Sequence, residues 1–118
     1  MLTDPQTVTV NAVAKNMSRI REGDGTSVYR LRSTTDEYVL TIKQSDGKIS
    51  GGLDGEGHVA KLEYTVFATA TVPQSKVITW CTIQNQDGAD LTVVRNVVLG
   101  LCAYLTSSTI DKLLNGEN

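Results

Sequence analysis

The chain carries little equipment for chemistry. It has one histidine, two cysteines and two prolines in 118 residues, and only 5% of it is aromatic. His58 ends a glycine-rich stretch with no cysteine beside it, so the spacing of a zinc site is missing and a surface position is expected. Cys81 and Cys102 are too far apart for a redox CxxC and read as buried, reduced thiols, small hydrophobes of a strand and a helix. No nucleophile, base and orienting group assemble into a catalytic set. "SGGLDGEG" lies between strands and opens no helix, so it is not a phosphate loop. The acids Asp46, Asp54 and Glu56 do not match an EF-hand loop, whose oxygen ligands fall at alternate positions with an invariant glycine between them. The expectation is a protein that is no enzyme and uses no cofactor and no metal.

Long apolar runs are also missing. The longest, "VVLGLCAYL" at 97–105, is about half of the ~20 residues a membrane span needs. The start, "MLTDPQTVTV", lacks the charged and apolar regions of a signal peptide, so the chain is expected to stay in the compartment where it is made. There is no excess of positive charge either. The formal net charge is -2, which argues against long-range attraction to phosphate but leaves room for a local basic face.

What the chain does have is strand-forming sequence followed by helix-forming sequence. Hydrophobic residues make up 40% and charged residues 20%, the balance of one folded domain, residues 1–118. "TVTVNAVAKNM" predicts a hairpin with a weakly marked turn near Asn11. "EGDG" at 22–25 is a strong turn. Strands are predicted at 27–33, 37–44, 59–72 and 76–84, with a long glycine-rich loop at 45–58 and a turn marked by Pro73. The period then changes. Leu91, Val94, Val98, Leu101 and Leu105 fall on one helix face behind Asp90, a good N-cap. A second short helix carries Ile110, Leu113 and Leu114 and stops at Asn115 and Gly116. Strands followed by helices predict an α+β fold, with the helices packed on one face of an antiparallel sheet.

Three strands agree on which face is which. Tyr29 and Leu31, Tyr38, Leu40 and Ile42, and Leu62, Tyr64 and Val66 share the apolar parity. Opposite them stand Arg30 and Arg32, Thr41 and Lys43, and Lys61, Glu63 and Thr65. A solvated sheet face is the plain reading of that second set; a binding face is the sharper one. Trp80, in "KVITWCTIQ", reads as core when the strand is taken alone. The sheet-wide pattern instead puts it with Lys43, Lys61 and Thr82. The first helix is apolar around most of its girth, since Val93, Val97, Leu99 and Cys102 add to its main stripe. One sheet face cannot cover so much. Either a second copy of the chain or the chain's own C-terminal helix must do so.

The order and texture of "TVTVNAVAKNM", "SVYRLRSTTDEYVLTIKQ", "AKLEYTVFATATVPQSKVITWCTIQ" and "DLTVVRNVVLGLCAYLTSSTIDKLL" resemble the coat proteins of the small single-stranded RNA bacteriophages, over residues 7–114. The resemblance implies an N-terminal hairpin, a sheet of about four to five strands and two C-terminal helices that pack across a dimer partner. It implies a homodimer that builds an icosahedral shell assembled in the bacterial cytoplasm. It also implies single-stranded genomic RNA and an RNA hairpin as partners, bound on the inner sheet face, with translational repression as a consequence. By parity the RNA-facing residues are then Arg30, Arg32, Thr41, Lys43, Lys61, Glu63, Thr65, Trp80, Thr82 and Gln84. Basic residues suit phosphates, and an aromatic suits a looped-out base. The loop at 69–75, which adapts to different shell environments in that family, is short here, and the stretch 45–58 is long. The alternative is a small dimeric α+β binding module with its ligand or protein site on the polar sheet face.

Overall fold

β-branched and aromatic residues in alternation make six strands, each hydrogen-bonded to the next. The computed structural model describes residues 2–117. β1 (Gln6–Val10), β2 (Val13–Gly23), β3 (Thr26–Arg32), β4 (Asp36–Lys48), β5 (Asp54–Val66) and β6 (Ser75–Gln86) form one antiparallel sheet in the order β1-β2-β3-β4-β5-β6. α1 (Leu91–Tyr104) and α2 (Ser107–Leu114) follow. The α+β expectation holds, with six strands in the sheet.

Two hairpins turn on left-handed pairs. Asn11 and Ala12 have φ of 51° and 62°, and Asp24 and Gly25 have φ of 50° and 75°. These are the conformations of a two-residue hairpin whose twist matches its strands. Alanine in such a position is uncommon, which is why the first turn is weakly marked in the sequence.

β2 is long because it serves two neighbours. Its first half pairs with β1 and its second half with β3. The β1–β2 hairpin thereby curls over the apolar side of β3, β4 and β5. Met17 and Tyr29 are fully enclosed there, beside Tyr38 and Leu40, and Val8, Val10, Ile42, Leu62 and Tyr64 pack around them. Burying side chains of this size stabilises the fold by roughly 1.5–3 kcal/mol each. Several polar groups on this side are tied down. Tyr38 and Tyr64 stack at 4.5 Å, the Lys15 ammonium lies 5.3 Å from the Tyr38 ring, and the Arg19 guanidinium donates to the Tyr29 hydroxyl at 3.2 Å.

The stretch 45–58 corrects the sequence reading. It is not a long loop: β4 runs on to Lys48, β5 begins at Asp54, and only a tight turn separates them. The glycines here fit a crowded ladder. A Cβ on Gly55 would lie 2.3 Å from the Asn85 carbonyl oxygen, so this position takes no side chain. β5 also ends at Val66 and not at 72, because β4 and β6 offer no partners beyond Asp36 and Ser75. The following loop is a compact turn in which the Thr69 hydroxyl accepts from the Val72 N–H at 3.0 Å.

His58 is a second correction. It is half-buried on β5, its ring nitrogens facing the side-chain oxygens of Gln44 and Asn85. The extra strand length moves it from a loop end into a polar cluster. The thiols are a third. Cys81 is half-buried and Cys102 is exposed, and neither is bonded. Both line one cleft between β6 and α1, so they are exposed to the extent that this cleft is open.

The helices start and stop as their caps require. The Asp90 carboxylate accepts from the Thr92 N–H at 2.9 Å, Thr106 caps α2, and Asn115 closes it. No residue of either helix is buried within the chain. Val94 and Val98 of α1 are half-buried against the β6 margin, while Val97 is 68% exposed and Leu101 59%.

Candidate nucleic-acid interface

The face of the sheet away from the core hairpin is built row by row from the strand register. One row runs Arg32, Glu37, Thr65, Lys76, and the next Arg30, Val39, Glu63, Ile78. The third is Arg21, Val28, Thr41, Lys61, Trp80, and the fourth Thr26, Lys43, Val59, Thr82. Gln84 lies beyond, opposite Gly57. All ten residues singled out by parity therefore share one face. Trp80 stands on it directly opposite Lys61 and is 60% exposed. Val77, Cys81 and Ile83 point the other way, and Cys81 and Ile83 line the cleft beside α1.

This face concentrates positive charge in an acidic chain. Six of the 11 basic residues stand on it (Arg21, Arg30, Arg32, Lys43, Lys61, Lys76) and only two of the 13 acids, Glu37 and Glu63. The excess is thus four positive charges, six less two. Such a surface attracts polyanions locally while the whole molecule stays acidic.

The cations are not equivalent. Arg32 is committed, donating from Nε and Nη2 to Glu37 Oε2 at 3.0 and 2.8 Å, with its guanidinium 5.9 Å from the Phe67 ring. Lys61 and Lys76 share Glu63 Oε1 at 3.6 and 3.7 Å. Lys43 is exposed and enters no salt bridge among the described residues. Gln84 is committed to the β4–β5 turn, its side-chain oxygen accepting from the Ser50 N–H at 3.1 Å.

Sequence parity missed Arg21, Lys76 and Ile78. Lys76 and Ile78 share the parity of Trp80, which was the available signal. Arg21 had none. Pairing shifts between Arg19 and Arg21, and such a bulge sends Arg19 to the core side and Arg21 to the opposite face. Among the described residues no group of three or more His, Cys, Asp or Glu side chains is placed to hold a metal ion.

No curated protein matches the chain. A family model described as "Phage phiCb5, coat protein" matches residues 3–86. That segment runs from Thr3 to the last residue of β6, and so contains the whole sheet and every residue of the face above. A curled six-strand sheet with two trailing helices, matched over more than two thirds of its length, places this chain in the phage phiCb5 coat protein family, the structural subunits of a phage capsid.

Proposed function

We propose that the chain acts as one coat domain that dimerises and packages single-stranded RNA inside an icosahedral shell. The observation that carries this reading is the sorting of charge: six cations and an exposed tryptophan on one sheet face, with the apolar core under the β1–β2 hairpin on the other. The polar face then meets RNA. Arg30, Lys43 and Arg21 hold phosphates, Thr41, Thr65 and Thr82 hydrogen-bond exposed bases or sugars, and Trp80 stacks an unpaired base. Arg32, Lys61 and Lys76 contribute field through their partners. Gln84 contributes by holding the β4–β5 turn. An RNA hairpin offers such a face both a phosphate backbone and looped-out bases, so hairpin binding and translational repression belong to this reading.

Dimerisation is supported by what the chain leaves uncovered. α1 exposes Val93, Val97, Leu99 and Leu101, and β6 is an edge strand with free backbone groups beside it. A cleft of about 390 Å³ between the two, lined by Cys81, Ile83, Val94 and Leu101 among others, is shaped for apolar side chains from a second copy. A twofold pairing of β6 edges covers both features at once.

The test is expression in bacteria followed by electron microscopy and absorbance of the purified protein. Regular particles with a nucleic-acid absorbance ratio are expected. A small, RNA-free dimer under all conditions rejects the packaging part of the proposal.

A further inference from the structure

A carboxylate in the middle of a phosphate-binding face requires a reason. Glu63 sits there, with only 20% of its side chain exposed, between Lys61 and Lys76. It repels phosphate, and it gives little to its own fold. Among the described residues its carboxylate meets only the two ammoniums, at 3.6 and 3.7 Å and through one oxygen, beyond hydrogen-bond range. Its acceptor capacity is therefore unspent. Register places it diagonally from Trp80: Glu63 faces Ile78, and Lys61 faces Trp80. Diagonal neighbours lie roughly 7–8 Å apart, within reach of long and aromatic side chains. A base lying on the Trp80 ring can thus turn its edge toward Glu63.

We infer that Glu63 and Trp80 form a guanine-selective subsite for an unpaired base. This rests on the RNA-binding reading above. The chemistry follows from the edges of the bases. Guanine presents two adjacent donors, N1–H and N2–H, which match the two acceptor oxygens of a carboxylate. Adenine and cytosine each place a ring-nitrogen lone pair beside a single amino donor, and uracil flanks its one N–H with carbonyl oxygens. Facing an ionised carboxylate, each of these leaves an acceptor against an acceptor. Lys61 and Lys76, on either side, offset the charge of Glu63 and so lower its repulsion of the neighbouring phosphates. Stacking on Trp80 supplies affinity for any base, and Glu63 supplies the choice among them.

Trp80 is the only tryptophan in the chain, so its fluorescence reports stacking directly. The full-length protein, freed of RNA, is titrated with four short single-stranded RNAs. Three are oligouridines carrying one central guanosine, adenosine or cytidine, and the fourth is uridine throughout. The guanosine RNA is expected to bind about tenfold more tightly than the others, the scale of one good two-point base contact. In Glu63→Gln that preference disappears while quenching by all four RNAs persists. Equal affinities in the wild-type protein, with quenching intact, overturn the subsite and leave RNA binding standing. A guanosine preference that survives in Glu63→Gln, or a uniform rise in affinity with no wild-type preference, also overturns it. If no RNA binds or quenches, the RNA-binding reading falls with it. Should the variant not fold, the wild-type comparison alone decides.

Discussion

The side-chain oxygen of Gln84 on β6 accepts a hydrogen bond from the backbone N–H of Ser50, 34 residues earlier, at 3.1 Å. This single bond ties the tip of the β4–β5 hairpin to the neighbouring strand on the polar face. Gln84→Ala is expected to cost about 0.5–1.5 kcal/mol, the net worth of one such bond. Hydrogen exchange at Ser50 checks it: the amide should lose protection while amides of β3 keep theirs. Unchanged protection at Ser50 shows that the tip is held by other means.

Trp80 is an outward residue, so its removal tests binding without testing the core. Trp80→Ala is expected to leave thermal unfolding close to that of the wild type. Its affinity for single-stranded RNA should fall by about 1–3 kcal/mol, the range for one stacked base. Calorimetry and filter binding on the same preparation separate the two effects. A large fall in melting temperature with RNA affinity preserved reverses the assignment.

Lys43 enters no salt bridge among the described residues, whereas Lys61 is paired with Glu63. Lys43→Ala should reduce the slope of log affinity against log salt by about 0.7, one phosphate contact on a single strand. Lys61→Ala should reduce it less, because Glu63 already neutralises part of that charge. Binding measured across a salt series gives both slopes. Equal slopes in wild type and Lys43→Ala remove Lys43 from the interface.

Tyr64 carries a pH signature. Partial burial, and then its hydrogen bond to Asp36, hold its phenol above the ordinary value of 10.0. The folded state therefore favours the protonated phenol more than the unfolded chain does. Its contribution to stability is full below about pH 10 and is lost as pH rises through the elevated value. Unfolding followed from neutral to strongly alkaline pH should show that loss in the wild type and lack this component in Tyr64→Phe. Identical alkaline profiles mean that another group governs the transition.

Val97 on α1 is 68% exposed in the single chain. Val97→Asp places a charge on that apolar surface. If a second copy covers it, the variant should sediment as a monomer while its strand signal in circular dichroism persists. Dimers of unchanged strength place the interface elsewhere.

Much of the face was legible before the structure because alternation is a physical constraint. Leu40 and Leu62 must point together if their strands pair at all, and Lys43 and Lys61 then follow on the opposite side. What escaped was whatever breaks alternation or ends a strand. The bulge before Arg21 leaves no mark in composition. The turn at Asn11 and Ala12 resets the alternation, so that Lys15 and Met17 of β2 face inward. Gly55 and Gly57 look like loop residues because strand propensity describes a side chain's fit to its neighbours, and here the backbone of Asn85 takes the space. "FATATV" looks like strand, yet no neighbour continues far enough to pair with it. His58 and Asn85 could not be linked, since their contact depends on a register that only the full ladder defines.

The meander also determines an order of events. Every strand hydrogen-bonds to the one made just before it, so no pairing waits on a distant segment, and loops closed early are short. A chain synthesised from its N-terminus can build β1 to β6 as they emerge. The apolar surface of α1 comes only after the sheet is complete. Exposed Val97 and Leu101 thus meet other chains only once the rest of the chain can no longer mispair, which keeps association and folding apart in time.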